Sequence, residues 1–187
     1  MSHKLDKLDL KIVDRLQNNA RISISELAQE VNASRQTVMN RLNRLLREDL
    51  ITLKGGLNLK KFGFKTAYVG LEVKTDEART SLLALLKDCP RILSFHRVAE
   101  KANLVAFLWG EDEKTLSSTI ESFHRFQDVE IVYIHLLDAQ ILGEIIINVF
   151  SERKEISPCG RKCQECQRYK NQWCLGCPVV REYRSPL

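Results

Sequence analysis

The sequence predicts an α+β chain in three parts, and three observations carry that expectation. Near the front, three successive segments place apolar side chains at helical spacing. In the middle, strand-like and helix-like segments follow the order strand, helix, strand, strand, helix, strand. Near the end, five of the six cysteines crowd between Cys159 and Cys177. The parts are drawn at residues 1–60, 61–150 and 151–187.

The first segment, Leu5 to Leu16, sets Leu5, Leu8, Ile12, Val13 and Leu16 against Asp6, Asp9, Lys11, Asp14 and Arg15, the pattern of one amphipathic helix. Ser23 or Ser25 can cap a second, short helix with Leu27, Ala28 and Val31 inward. After a break at Asn32-Ala33, Ser34 is placed to cap a third. Its core stripe is Val38, Leu42, Leu45 and Leu46, and Arg35, Gln36, Asn40, Arg41 and Arg44 lie elsewhere around it. Such a helix fits the major groove of double-stranded DNA: Arg pairs with guanine, Gln or Asn pairs with adenine, and further cations neutralise phosphates. Ser34, Arg35, Gln36 and Asn40 are therefore expected to set register and base preference, and Arg41, Arg44 and Lys54 to meet phosphates. Ile51–Asn58 reads as two short strands about Gly55-Gly56, a wing that carries Lys54. The head is thus a winged helix-turn-helix.

Charge divides along the same boundaries. Residues 1–60 hold 11 Lys and Arg against 7 Asp and Glu, residues 61–150 hold 10 against 13, and residues 151–187 hold 8 against 4. A polyanion would meet the ends and avoid the middle. The late apolar stretch Ile145–Phe150 is too short to span a bilayer and the first residues lack a secretory core, so a cytoplasmic protein without a membrane partner is expected.

In the middle part, strands are expected at Thr66–Val73, Ile92–Ala99, Leu104–Trp109 and Glu130–Leu137, with helices at Glu77–Cys89 and Glu113–Phe126. The βαββαβ order predicts a ferredoxin-like antiparallel sheet with both helices on one face. Leu71, Phe95, Val105, Phe107 and Tyr133 are assigned to the other face, where a second copy would cover them. Ile141–Ile147 would extend the sheet or that contact, and a homodimer or higher homo-oligomer is expected.

Residues 4–150 resemble the Lrp/AsnC family of transcription regulators, a likeness carried by Leu5-Asp6-Lys7-Leu8-Asp9-Leu10-Lys11-Ile12 and Arg21-Ile22-Ser23-Ile24-Ser25-Glu26-Leu27-Ala28. The resemblance implies assemblies of dimers, DNA binding through the helix at Ser34 to Arg47, and a small-molecule effector pocket near the turn between the second and third strands. That turn carries Glu100 and Asn103, where family members that bind amino acids commonly carry a glycine and an acidic residue.

The tail is an addition to that plan. Its spacing, Cys159-x3-Cys163-x2-Cys166-x7-Cys174-x2-Cys177, contains two Cys-x2-Cys pairs suited to a tetrahedral zinc site, and a reduced compartment favours metal over disulfides. Cys159-x3-Cys163-x2-Cys166 and Cys177-Pro178 also suit an iron–sulfur cluster. Trp173 and Tyr169 are candidates to cover the site. Cys89, before Pro90, reads as a small buried apolar side chain.

The expected function is a sequence-specific, DNA-binding transcription regulator whose metal-bearing tail stabilises or switches it. A siroheme-decarboxylase-like enzyme on the same two-domain plan and an architectural DNA-binding protein are the alternatives. No acid, base or nucleophile constellation stands out, so no enzyme and no catalytic residue is assigned.

Overall fold

The computed structural model describes residues 5–150 and 152–186. The chain divides into two compact units, Met1–Gly55 and Gly56–Leu187.

The first unit is a bundle of three helices, each started by a side chain that satisfies otherwise orphaned N–H groups. Asp6 caps α1 (Lys7–Asn18), closing a box in which Asp9 reaches back to the Asp6 N–H. Ser23, rather than Ser25, caps α2 (Ile24–Glu30), with Glu26 completing the same reciprocal arrangement. Ser34 caps α3 (Arg35–Arg47) by accepting from the Thr37 N–H. Between α2 and α3, Asn32 takes the left-handed conformation, φ 55°, which an Asn tolerates and which turns the chain sharply. Ile12, Leu16, Leu27, Val38 and Leu45 form the core. Leu46, expected in that stripe, is instead exposed.

The wing hairpin is not formed as expected. Residues 51–56 contain no strand, and Leu57–Asn58 (β1) pairs with Ile146–Ile147 (β6). Gly56 permits this close approach, since a Cβ there would sit 2.4 Å from the Ile146 Cγ2 and 2.5 Å from the Ile147 oxygen. The remainder of Ile141–Ile147 forms no strand.

The second unit carries β2 (Lys65–Val73), α4 (Asp76–Leu86), β3 (Ile92–Arg97), β4 (Leu104–Gly110), α5 (Glu113–Ile120) and β5 (Val129–Leu137). The sheet order is β3-β4-β2-β5, antiparallel throughout, which is the ferredoxin-like arrangement. Both helices stop earlier than their apolar periodicity suggests. Helix α4 ends at Leu86, four residues before Pro90, and α5 gives way to a 3-10 turn over Glu121–Arg125. Val69, Leu71, Leu104, Ala106 and Leu108 meet Leu82, Leu86, Leu116, Ile120 and Phe123 in one core.

Two residues assigned to the open face belong to this helix-side core. Leu71 is fully buried in it, and Phe95, paired with Ala106, packs against it. Val105, Phe107 and Tyr133 are half-buried. Phe107 stacks on Tyr68 at 4.5 Å, and the Tyr133 ring lies where a Cβ on Gly70 would collide with it. Two register shifts, one opposite Gly70/Leu71 and one between Ile92 and Ser94, reset the alternation of faces along β5 and β3.

The cysteine-bearing residues fold within this second unit. Lys154 forms a parallel bridge to Val180, and Val179 and Val180 bury with Cys163 against Phe150, Tyr169 and Cys177. A short helix, α6 (Gln167–Lys170), lies between the two Cys-x2-Cys pairs. Among the described residues, no helix is long and apolar enough to cross a membrane.

Candidate functional site

Helix α3 shows two chemically different sides. Val38 and Leu45 anchor it in the bundle, whereas Arg35, Gln36, Asn40, Asn43 and Arg47 are exposed. Gln36, Asn40, Asn43 and Arg47 are spaced by four, three and four residues, so they line one stripe. The Gln36 Nε2 donates to the Asn40 Oδ1 at 2.9 Å, which orders both amides on that stripe. Ser34 is committed to capping, with its hydroxyl also 2.8 Å from the Thr37 hydroxyl.

Arg41 and Arg44 have protein partners. Arg41 donates to Asp6 at 2.5 Å and to Asp9 at 3.3 Å, and Arg44 pairs with the other oxygen of Asp9. Asp9 is fully buried, so the two guanidiniums neutralise a carboxylate that would be costly to leave alone. They tie α3 to α1. Arg47, with 77% of its side chain exposed, is a cation at the far end of the stripe that periodicity alone did not single out. Lys54 is exposed in the segment after α3.

At the turn after β3, the Asn103 amide donates to the Val73 carbonyl at 2.8 Å and accepts from the Val73 N–H at 3.0 Å. It extends the sheet like a backbone group, while Glu100 is exposed.

The tail meets the body through a buried ion pair. Arg91 donates to Glu111 at 2.6 Å, with side chains 5% and 1% exposed. The second Arg91 nitrogen donates to the Gly176 carbonyl, and the Tyr183 hydroxyl donates to the other Glu111 oxygen. Ser118 donates to the Trp173 carbonyl at 2.9 Å and Arg168 donates to the Ser118 carbonyl at 2.7 Å. Neither Arg91 nor Glu111 stands out in sequence, because their partners lie far along the chain.

All six cysteines, Cys89 included, line a single cavity of about 80 Å³ beside Leu86, Ile92 and Phe123. Cys89 is therefore both a half-buried core neighbour and part of the sulfur wall. Tyr169 also lines the cavity, whereas Trp173 is exposed. Burial pushes the Cys89, Cys163 and Cys174 thiols up and the Cys177 thiol up to about 12. Among the described residues, no group of three or more His, Cys, Asp or Glu is arranged to hold a metal ion.

A capped helix-turn-helix with an exposed polar stripe, followed by a ferredoxin-like sheet, defines a DNA-binding regulator. Comparison with known proteins agrees: the winged helix-turn-helix DNA-binding family matches residues 5–52. HTH-type transcriptional regulator Ptr1 of Methanocaldococcus jannaschii is 32% identical over 114 residues, covering 60% of this chain and 76% of that protein. The chain belongs to the HTH-type transcriptional regulators, with an Lrp/AsnC-like fold. Leucine response regulatory protein of Mycobacterium tuberculosis superposes with a TM-score of 0.66 at 19% identity, covering 74% of this chain and 96% of that one. AsnC of E. coli superposes with a TM-score of 0.61 at 19% identity, covering 77% and 99%.

Proposed function

We propose that this DNA-binding transcription regulator reads base edges with Gln36 and Asn40, that Arg35, Arg47 and Lys54 meet phosphates, and that it works as a dimer or an assembly of dimers. The observation that carries the reading is the exposed amide stripe of α3, set on a helix whose opposite side is anchored in the core. Asn and Gln present a donor and an acceptor together, which is the pair that adenine's major-groove edge requires. Ser34 contributes by fixing where the helix starts. Arg41 and Arg44, already held by Asp6 and Asp9, set the angle of the helix in preference to meeting phosphates.

In the same reading, the cysteine-bearing tail holds a metal that stabilises or switches the regulator, because its sulfurs gather on one cavity in the second unit. Arg35, Arg47 and Lys54 differ from Arg41 and Arg44 in being exposed; Arg47 has only a surface contact with Glu48 at 3.8 Å, and exposed cations readily displace the counterions around duplex DNA.

Selection of a preferred duplex from random sequence, followed by competition against non-specific duplex at fixed salt, tests the proposal. A preference of at least about a thousandfold is the expected result for a specific regulator. Equal affinity for both would reject base reading and leave an architectural role.

A further inference from the structure

We propose that the sulfur-lined cavity of the second unit holds an iron–sulfur cluster, a multi-atom group, instead of a single zinc ion. The inference deepens the reading of the tail as metal-holding and rests on it. Its first support is convergence from separate stretches of chain: Cys89 follows α4, and the other five cysteines come from the tail, yet all six line one space.

Size is the second support. A lone zinc ion draws four sulfurs to about 2.3 Å from one point, which leaves no interior volume. The cavity of about 80 Å³ is several times the roughly 10–15 Å³ that admits one water. Six sulfurs on the wall of one such space suit a body of several atoms, and clusters of iron and inorganic sulfide are held by cysteine thiolates.

The surroundings suit an anionic thiolate-bound centre. The Gly176 N–H donates to the Cys174 sulfur at 3.4 Å, and the Ser157 hydroxyl lies 3.2 Å from the Cys159 sulfur. Such donors stabilise thiolates and orient ligands. Arg91, Arg161 and Arg168 line the same cavity and supply positive charge, while Leu86, Ile92 and Phe123 form its apolar wall.

The test is anaerobic purification of the full chain, with iron, zinc and acid-labile sulfide measured per chain alongside the visible absorption spectrum. Iron and sulfide in comparable amounts with a brown colour are expected, and both should be lost in Cys163→Ser/Cys174→Ser. Protein stripped by chelator should recover its colour with ferrous and ferric iron supplied together with sulfide. Duplex affinity of every sample, and far-ultraviolet circular dichroism of the variant, separate loss of the site from loss of folding. Zinc without sulfide would overturn the cluster and leave the metal reading standing. Metal-free protein that takes up neither iron with sulfide nor zinc would overturn both.

Discussion

Gln36 and Asn40 already hold each other at 2.9 Å on the exposed stripe, so little side-chain ordering remains to oppose their meeting a base pair. Gln36→Ala should reduce affinity for the preferred duplex by about 1–3 kcal/mol and leave affinity for random duplex nearly unchanged. Fluorescence anisotropy with both duplexes checks this, and an equal loss on both would assign Gln36 to backbone contact. In the same bundle, Asp6 and Glu26 contribute to acid stability. The Asp9 N–H, then Arg41, holds the Asp6 carboxyl below its ordinary 3.8, and the Ser23 N–H and hydroxyl hold Glu26 below 4.5. Because these folded pKa values are depressed, the stabilisation is complete above the ordinary values and disappears as pH falls through the folded ones. Thermal unfolding followed from about pH 5 to about pH 2 should show a declining midpoint, with a shallower decline in Asp6→Asn. Residue types and caps were largely legible in the sequence, since Ser34 and the polar stripe are local features. The engagement of Arg41 and Arg44 by Asp9 was not, because it depends on how α1 and α3 pack.

Elements were readable where their periodicity was local and misread where distant pairing intervened. The four-stranded sheet follows from the βαββαβ order, and the expected strands lie within a residue or two of β2 to β5. The expected wing strands ran together because the partner of β1 is β6, far along the sequence, and no turn signal announces that. Leu71 and Phe95 were placed on the wrong face, and in β3 the shift between Ile92 and Ser94 shows why strict alternation misleads. The tail illustrates the same limit. Cysteine spacing revealed a cluster, but not that Cys89, Arg91 and Glu111 from the body complete its setting. Glu111→Gln would leave the buried Arg91 without its counter-charge and weaken the acceptor for Tyr183. A loss of about 3–5 kcal/mol in the stability of the second unit is expected. Trypsin should then cut the tail faster than in the parent protein, and an unchanged cleavage rate would show that the ion pair does not hold the tail down.

Across the whole molecule, uncovered apolar side chains gather around β5 and the segment after it. Leu136, Ile141 and Leu142 are 65%, 92% and 91% exposed, and Ile134 lies beside them along the strand. Exposure on this scale is unusual for a chain acting alone, and it favours association through the sheet. Sedimentation should give a dimer or larger assembly, with Leu136→Lys/Ile141→Lys shifting the distribution toward the monomer and weakening binding to two-site duplexes more than to single sites. A monomeric parent protein at micromolar concentration would reject that arrangement. The boundary between the two units falls between adjacent glycines that are not equivalent. Gly55 has open space where a methyl group would go, whereas Gly56 is wedged against Ile146 and Ile147. Alanine at position 55 would stiffen the junction without a collision, but at position 56 it would prise apart the two short strands it adjoins. One position of the pair thus accepts a side chain, while its neighbour holds the seam of the two short strands closed.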